Sequence, residues 1–276
     1  MIIAHRTSPA YAPENSLAGI RVSFDQGADG VEIDLRMSLD LRAFLMHDNT
    51  MRRTTGWPLP IELTPAAIVR RQRLQGSSGI RADGHAGIGP AGGNRTIGQS
   101  DIDEADTARV STPRAEPRGY AVETEAVPSL AQAIDALPAG KLFAVDVKTP
   151  WAILALVRAV KQREMQSRTL VWSSSEQVVR YAVRSLPGVE VAYYKDYEDG
   201  PNNVEFTGKA ARIGAQAVSL DWRGINRDVV GAAHALGLKV YSWHKEHPIT
   251  AEKIASGLDG VITDHPARAR ETIEGL

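Results

Sequence analysis

Residues 29–47, DGVEIDLRMSLDLRAFLMH, set two carboxylates, Glu32 and Asp34, inside a run that otherwise reads as a buried strand. Successive strand side chains alternate between faces, so residues two apart share one. Glu32 and Asp34 therefore point the same way, while Val31, Ile33 and Leu35 point the other. The same stretch decides the strand count. Only MSLDLRA separates the strand carrying Glu32 from the run AFLMH (43–47). A parallel crossover needs about a dozen residues or more, whereas a hairpin needs very few. AFLMH is thus expected to fold back antiparallel beside its predecessor.

Outward from this hairpin, eight further β-rich runs remain once the Glu32 strand is counted among them: IIAHR (2–6), GVEIDL (30–35), KLFAVDVK (141–148), TLVWSS (169–174), VEVAYY (189–194), AQAVSLD (215–221), LKVYSW (238–243) and GVITD (260–264). Helical stretches such as ENSLAGIRVSFDQG and NRDVVGAAHALG alternate with them. Such alternation predicts βαβ units on a parallel sheet. Eight strands in 276 residues predict an α/β fold, a single (β/α)₈ TIM barrel over residues 1–276. No Gly-rich dinucleotide fingerprint follows the first strand. Residues 49–127 break the rhythm as an insertion after the second strand. Its Gly- and Ser-rich part, GSSGIRADGHAGIGPAGGNRTIGQS, reads as a flexible loop, flanked by segments that could form a small subdomain or lid.

Net charge is −1, which gives no case for a nucleic-acid partner built on bulk charge. The chain has no cysteine, so disulfides and cysteine-based zinc sites are excluded. MIIAHRT enters a strand at once, leaving no room for a signal peptide, and no apolar run is long enough for membrane insertion. The expectation is a cytoplasmic protein with a small-molecule substrate.

In such barrels, reactive groups stand at the C-terminal ends of strands. His5 and Arg6 end the first strand, Glu32 and Asp34 lie toward the end of the second, and His47 and Asp48 close the fold-back run. Asp146 and Lys148 end KLFAVDVK, Trp243 ends LKVYSW, and Asp264 ends GVITD. Three converging carboxylates, Glu32, Asp34 and Asp146, need protons, basic partners or a cation. Oxygen ligands favour a hard divalent cation, Mg²⁺ or Ca²⁺. The rival reading is a structural charge network with Arg6, Arg36 or Lys148, and spacing alone leaves both open. His5 and His47 could serve as general acid and base. Arg6 and Lys148 suit a phosphate. His234 reads as structural, and His85 in the Gly-rich loop carries no signal.

With these residues placed, the sequence resembles the glycerophosphodiester phosphodiesterase family. The resemblance rests on IAHRTSPAYAPENSLAGI, GADGVEIDLRMSLD, FLMHDNTMRRTTG, VPSLAQAIDAL, FAVDVK, GLKVYSWHKEHP and GLDGVITDHPARA. It implies metal-dependent hydrolysis of glycerophosphodiesters to glycerol 3-phosphate and an alcohol. It also implies His5 and His47 as the acid/base pair, Arg6 as a phosphate contact, and Glu32 and Asp34 as metal ligands. The third ligand is usually a Glu; here that position is Asp146, followed by Lys148. Other departures are Thr7 where the family has glycine, PENS for PENT, and SLDL for TKDG, which makes Leu41 turn without glycine. Trp243 could pack on glycerol or the leaving group. Two rival functions are a related phosphodiesterase of the lysophospholipase D type, with Trp57, Pro58 and Leu59 as a lid, and a phosphodiester-binding protein without turnover.

Overall fold

The computed structural model describes residues 1–75, 124–195 and 201–276. The Gly-rich stretch, including His85, lies outside the described residues, as does most of the flanking segment 112–128. Nine strands are present among the described residues: β1 (Ile2–Ala4), β2 (Gly30–Met37), β3 (Ala43–Leu45), β4 (Leu142–Val147), β5 (Thr169–Ser173), β6 (Glu190–Tyr194), β7 (Ala217–Asp221), β8 (Lys239–Lys245) and β9 (Gly260–Thr263). Their order is β1-β9-β8-β7-β6-β5-β4-β2-β3, and an added β1–β2 pairing closes the ring. Every ladder is parallel except β2–β3, where Leu35 faces Leu45 and Met37 faces Ala43. The barrel thus has eight strands with β3 folded back on its rim, as the short connection requires.

The hairpin turns without glycine. Leu41 adopts φ 58° and is exposed, at a cost of about 1 kcal/mol for a residue with a β-carbon. Ser38 holds the turn: its hydroxyl donates to Asp40 Oδ1 at 2.8 Å and accepts from the Arg42 N–H at 3.0 Å.

Alternation along the strands divides the core in two. Val31, Ile33, Leu35, Val145 and Val171 pack outward against the helices, in the larger cluster. Ile3, Ala144, Leu170, Trp172, Ala192, Ala217, Tyr241 and Ile262 fill the barrel interior. Glu32, Asp34 and Asp146 belong to the same inward set, with Glu32 level with Ala144 and Asp146 level with Trp172. A third cluster of Phe44, Met46, Met51, Ile61, Ala66, Val69, Leu74 and Val127 packs beside β3, and Trp57 rests against it. Trp57 is therefore part of a small core, while Leu59 is 48 % exposed. No helix among the described residues is long and apolar enough to cross a membrane.

Candidate active site

The first strand ends early because the chain turns sharply at its tip. Arg6, Thr7 and Ser8 all adopt positive φ (43°, 62° and 61°), which swings the Arg6 N–H onto Glu32 Oε2 at 2.8 Å. Asn15 closes the same corner. Its backbone N–H donates to the Arg6 carbonyl at 2.8 Å, its amide nitrogen donates to Asp34 Oδ2 at 2.8 Å, and its side-chain oxygen accepts from the Asp34 N–H at 2.9 Å. Thr7 stands where a glycine was expected. It is buried, and its hydroxyl accepts from the Ser16 N–H at 3.2 Å, so the β-carbon is accommodated by a contact of its own.

The C-terminal ends of the strands enclose a cavity of about 370 Å³. His5, Arg6, Glu32, Asp34, His47, Asp146, Lys148 and Trp243 all line it, while Asp48 and Asp264 stand behind the two histidines and do not. Glu32, Asp34 and Asp146 are buried, and one oxygen from each lies within 4.8 Å of the others. Arg6 Nε sits 3.5 Å from Asp34, and Lys148 Nζ lies 2.6 Å from Asp146 and 3.3 Å from Asp34. Arg36 does not join them; it donates to Glu62 and to the His47 carbonyl.

The charges divide unequally. Burial works to raise Asp34, but Lys148, Arg6 and His47, together with the Asn15 hydrogen bond, outweigh it and hold this carboxyl well below the usual range. Burial raises Glu32 well above that range, reinforced by Asp34 and Asp146, against weaker opposing pulls from the Arg6 N–H and Lys148. Asp146 is raised by burial despite Lys148. Burial alone would lower Lys148, yet Asp34 and Asp146 more than reverse this and keep it charged. Two cations for three carboxylates leave the cluster short of positive charge, because Arg6 is shared with Glu14 at 3.7 Å. Asp146 Oδ1 is moreover buried without a hydrogen-bond partner. An orphaned oxygen in an oxygen-only cluster fits a hard cation and is poorly served by a closed charge network.

Both histidines are held from behind. His5 Nδ1 lies 2.6 Å from Asp264 Oδ1, and His47 Nδ1 lies 2.7 Å from Asp48 Oδ1. Arg53 fixes Asp48 through its Nε at 2.7 Å and grips both oxygens of Glu14. Burial, and then Arg6, lower the pKa of His5 against the pull of Asp264.

Several residues of the site carry no role in the sequence reading. Glu14, Asn15 and Arg53 occur there only as letters of quoted blocks; nothing in their spacing shows that they brace Arg6, Asp34 and Asp48. Tyr194 lines the cavity, accepts from Lys148 Nζ at 3.3 Å, and has its pKa pushed up to about 12 by burial and by Asp146. Lys245 lines it too. Tyr194 ends both the run VEVAYY and β6, so the strand-end rule could have found it; Lys245 ends β8 two residues beyond the run LKVYSW, whose end pointed to Trp243 instead. His234 accepts the bland reading: its Nε2 meets Asp259 at 2.9 Å on the surface.

Comparison with known proteins places this arrangement. The model of the glycerophosphoryl diester phosphodiesterase family matches residues 5–268. A glycerophosphodiester phosphodiesterase of Caldanaerobacter subterraneus is 23 % identical, over 96 % of this chain and 94 % of its own length. Among solved structures, an Oleispira antarctica phosphodiesterase in complex with the product sn-glycerol-3-phosphate superposes with a TM-score of 0.73 at 22 % identity, covering 99 % of this chain and 96 % of that one. A glycerophosphodiester phosphodiesterase from Agrobacterium tumefaciens gives 0.69 at 19 %, covering 97 % and 98 %.

Proposed function

Because the chain belongs to the glycerophosphoryl diester phosphodiesterase family, we propose that it hydrolyses glycerophosphodiesters to glycerol 3-phosphate and an alcohol, with His5 and His47 moving the protons. The observation that carries this reading is the pair of histidines on one cavity, each with Nδ1 held by its own carboxylate. An Nδ1–H donated to a carboxylate fixes the tautomer and leaves Nε2 for the substrate. The Oleispira relative's product is the one this reaction releases.

Arg6 and Lys148 hold the non-bridging phosphoryl oxygens. Arg6 brings a buried Nε without a hydrogen-bond partner, and Lys148 a compact charge. His5, kept neutral by burial and by Arg6, accepts the proton of the nucleophile at Nε2. The nucleophile is water or the adjacent glycerol hydroxyl; in the second case a cyclic phosphate forms and water then opens it. As the bond from phosphorus to the leaving oxygen breaks, His47 gives that oxygen a proton. Glu32, Asp34 and Asp146 would hold a divalent cation, Mg²⁺ or Ca²⁺, which when bound neutralises charge on the phosphoryl oxygens. Trp243 forms the wall beside the leaving group.

The test is release of glycerol 3-phosphate from a panel of diesters with Mg²⁺, Ca²⁺ or EDTA. His5→Ala and His47→Ala should each lower turnover by about 10²–10⁴-fold. Turnover near the wild-type level in both variants would sink the scheme.

A further inference from the structure

Three cations line the cavity wall, and two of them are answered by carboxylates. Arg6 faces Asp34 and Glu14, and Lys148 faces Asp34 and Asp146. Lys245 differs: no carboxylate among the described residues lies within ion-pair distance of it. Asp221 is within electrostatic reach of Lys245 but is bound by its own neighbour Arg223 at 2.7 Å. What Lys245 does contact is a ring. Its Nζ sits 4.9 Å from the centroid of Trp243, a residue of the same cavity.

The backbone fixes this placement. β8 carries a bulge between Trp243 and Lys245 against β9, with Trp243 opposite Ile262 and Lys245 opposite Thr263. Lys245 adopts φ 53°, and its carbonyl accepts from the Asp264 N–H at 2.8 Å and from the Thr263 hydroxyl at 3.2 Å. A residue with a β-carbon held at positive φ in a bulge is aimed by the strand and not by chance.

The chemistry of the wall follows. Quaternary ammonium groups are recognised by open aromatic faces. Here the two partly buried aromatics of the cavity already carry lysines of the chain itself, Lys245 on Trp243 and Lys148 on Tyr194 at 5.5 Å, while the third, Trp172, is buried. The wall offers positive charge where a choline-type group would need a bare ring. We propose that Lys245 is a specificity-determining residue for the leaving alcohol, favouring glycerophosphodiesters whose alcohol bears an anionic group and disfavouring those bearing a quaternary ammonium. This rests on the hydrolase reading above and names the class of substrate within it.

Three synthetic glycerol 3-phosphodiesters of similar size separate charge from shape: the choline ester, its neutral 3,3-dimethylbutyl analogue, and an ester whose alcohol ends in a carboxylate. kcat/KM is measured for all three with the wild-type chain, Lys245→Gln and Lys245→Glu. The wild type should prefer the carboxylate ester to the choline ester by about tenfold, the scale of one unit charge at a partly solvated distance. Lys245→Gln should level the ratio, and Lys245→Glu should invert it, with rising salt compressing all three ratios. A carboxylate-to-choline ratio that stays the same in both variants overturns the proposal even though hydrolysis proceeds. No release of glycerol 3-phosphate from any ester by the wild type would instead overturn the hydrolase reading, and the specificity role with it.

Discussion

His5 Nδ1 and Asp264 Oδ1 lie 2.6 Å apart, joining the C-terminal tips of β1 and β9. Asp264 does not itself line the cavity; it holds the His5 ring and its tautomer. Asp264→Asn keeps the shape but allows the amide to present N–H to Nδ1, which moves the proton to Nε2. Turnover should fall by about 10²-fold or more, with KM changed far less. An equal loss in KM and kcat, or none in kcat, would show that the carboxylate only packs.

The cluster of Glu32, Asp34 and Asp146 makes opposite predictions with and without a cation. At about 100-fold excess over its Kd, a cation that binds only the folded chain adds about 2.7 kcal/mol. For a chain of this length that is an increase in Tm of about 5–10 °C. Glu32→Gln should abolish most of that increase. In EDTA the same variant should be as stable as the wild type or more so, because the neutral amide removes repulsion from Asp34 and Asp146. Calorimetry with Mg²⁺, Ca²⁺ and EDTA reads both effects; an unchanged Tm on adding either ion removes the cation from the site.

Gly19 lies under the turn that carries Arg6. A β-carbon there would stand 2.3 Å from Thr7 Oγ1 and 2.4 Å from the Thr7 carbonyl oxygen. The second contact is with backbone, so no rotamer relieves it. Gly19→Ala should destabilise the protein by about 1–3 kcal/mol or more, and adding Thr7→Gly should recover only part of this. Urea unfolding of the single and double variants checks the order; full recovery would mean that the threonine side chain alone is in the way.

His244 is fully buried on the outer side of β8 and stacked on Trp222 at 6.3 Å. Burial lowers its pKa to about 4, against a weaker opposing pull from the Pro248 backbone. Above pH 6.5 the folded and unfolded chains both carry the neutral ring. Between pH 6.5 and 4 only the unfolded chain takes up the proton, so stability is lost as the pH falls, by about 3 kcal/mol at most. His244→Phe should be within about 1 kcal/mol of the wild type at pH 7.5 and should lose less on acidification. Urea midpoints at pH 7.5 and 4.5 test this; parallel losses in both proteins would contradict it.

What the sequence showed of all this follows from the range over which each feature is encoded. Glu32 and Asp34 share a face because of a local period of two, and the five residues between Met37 and Ala43 allow only a hairpin. Both are legible in a short window. The positive φ at Arg6 is not, since it depends on Asn15 reaching back to the Arg6 carbonyl and on Gly19 giving way beneath Thr7. Arg53 bracing Asp48 and Glu14 is likewise a meeting of three segments. Lys245 lay at the end of a strand, where attention was due. The role proposed for it rests on a bulge and on the lack of a carboxylate partner among the described residues, and neither leaves a mark in composition or spacing.

The ring closes only where the three-residue β1 pairs with both β2 and β9. β9 is the last of the described strands, so until it is made the described strands before it form an open sheet with β1 unpaired on one side. Pairings between distant segments form slowly, and exposed strand edges invite association with other chains. Until residues 260–263 pair, β1 and β8 both present open edges of the kind that favour aggregation. His5 meets Asp264 at that same moment, so a chain stalled short of this point would carry the residues of β1 and β2 without the contact that orients His5.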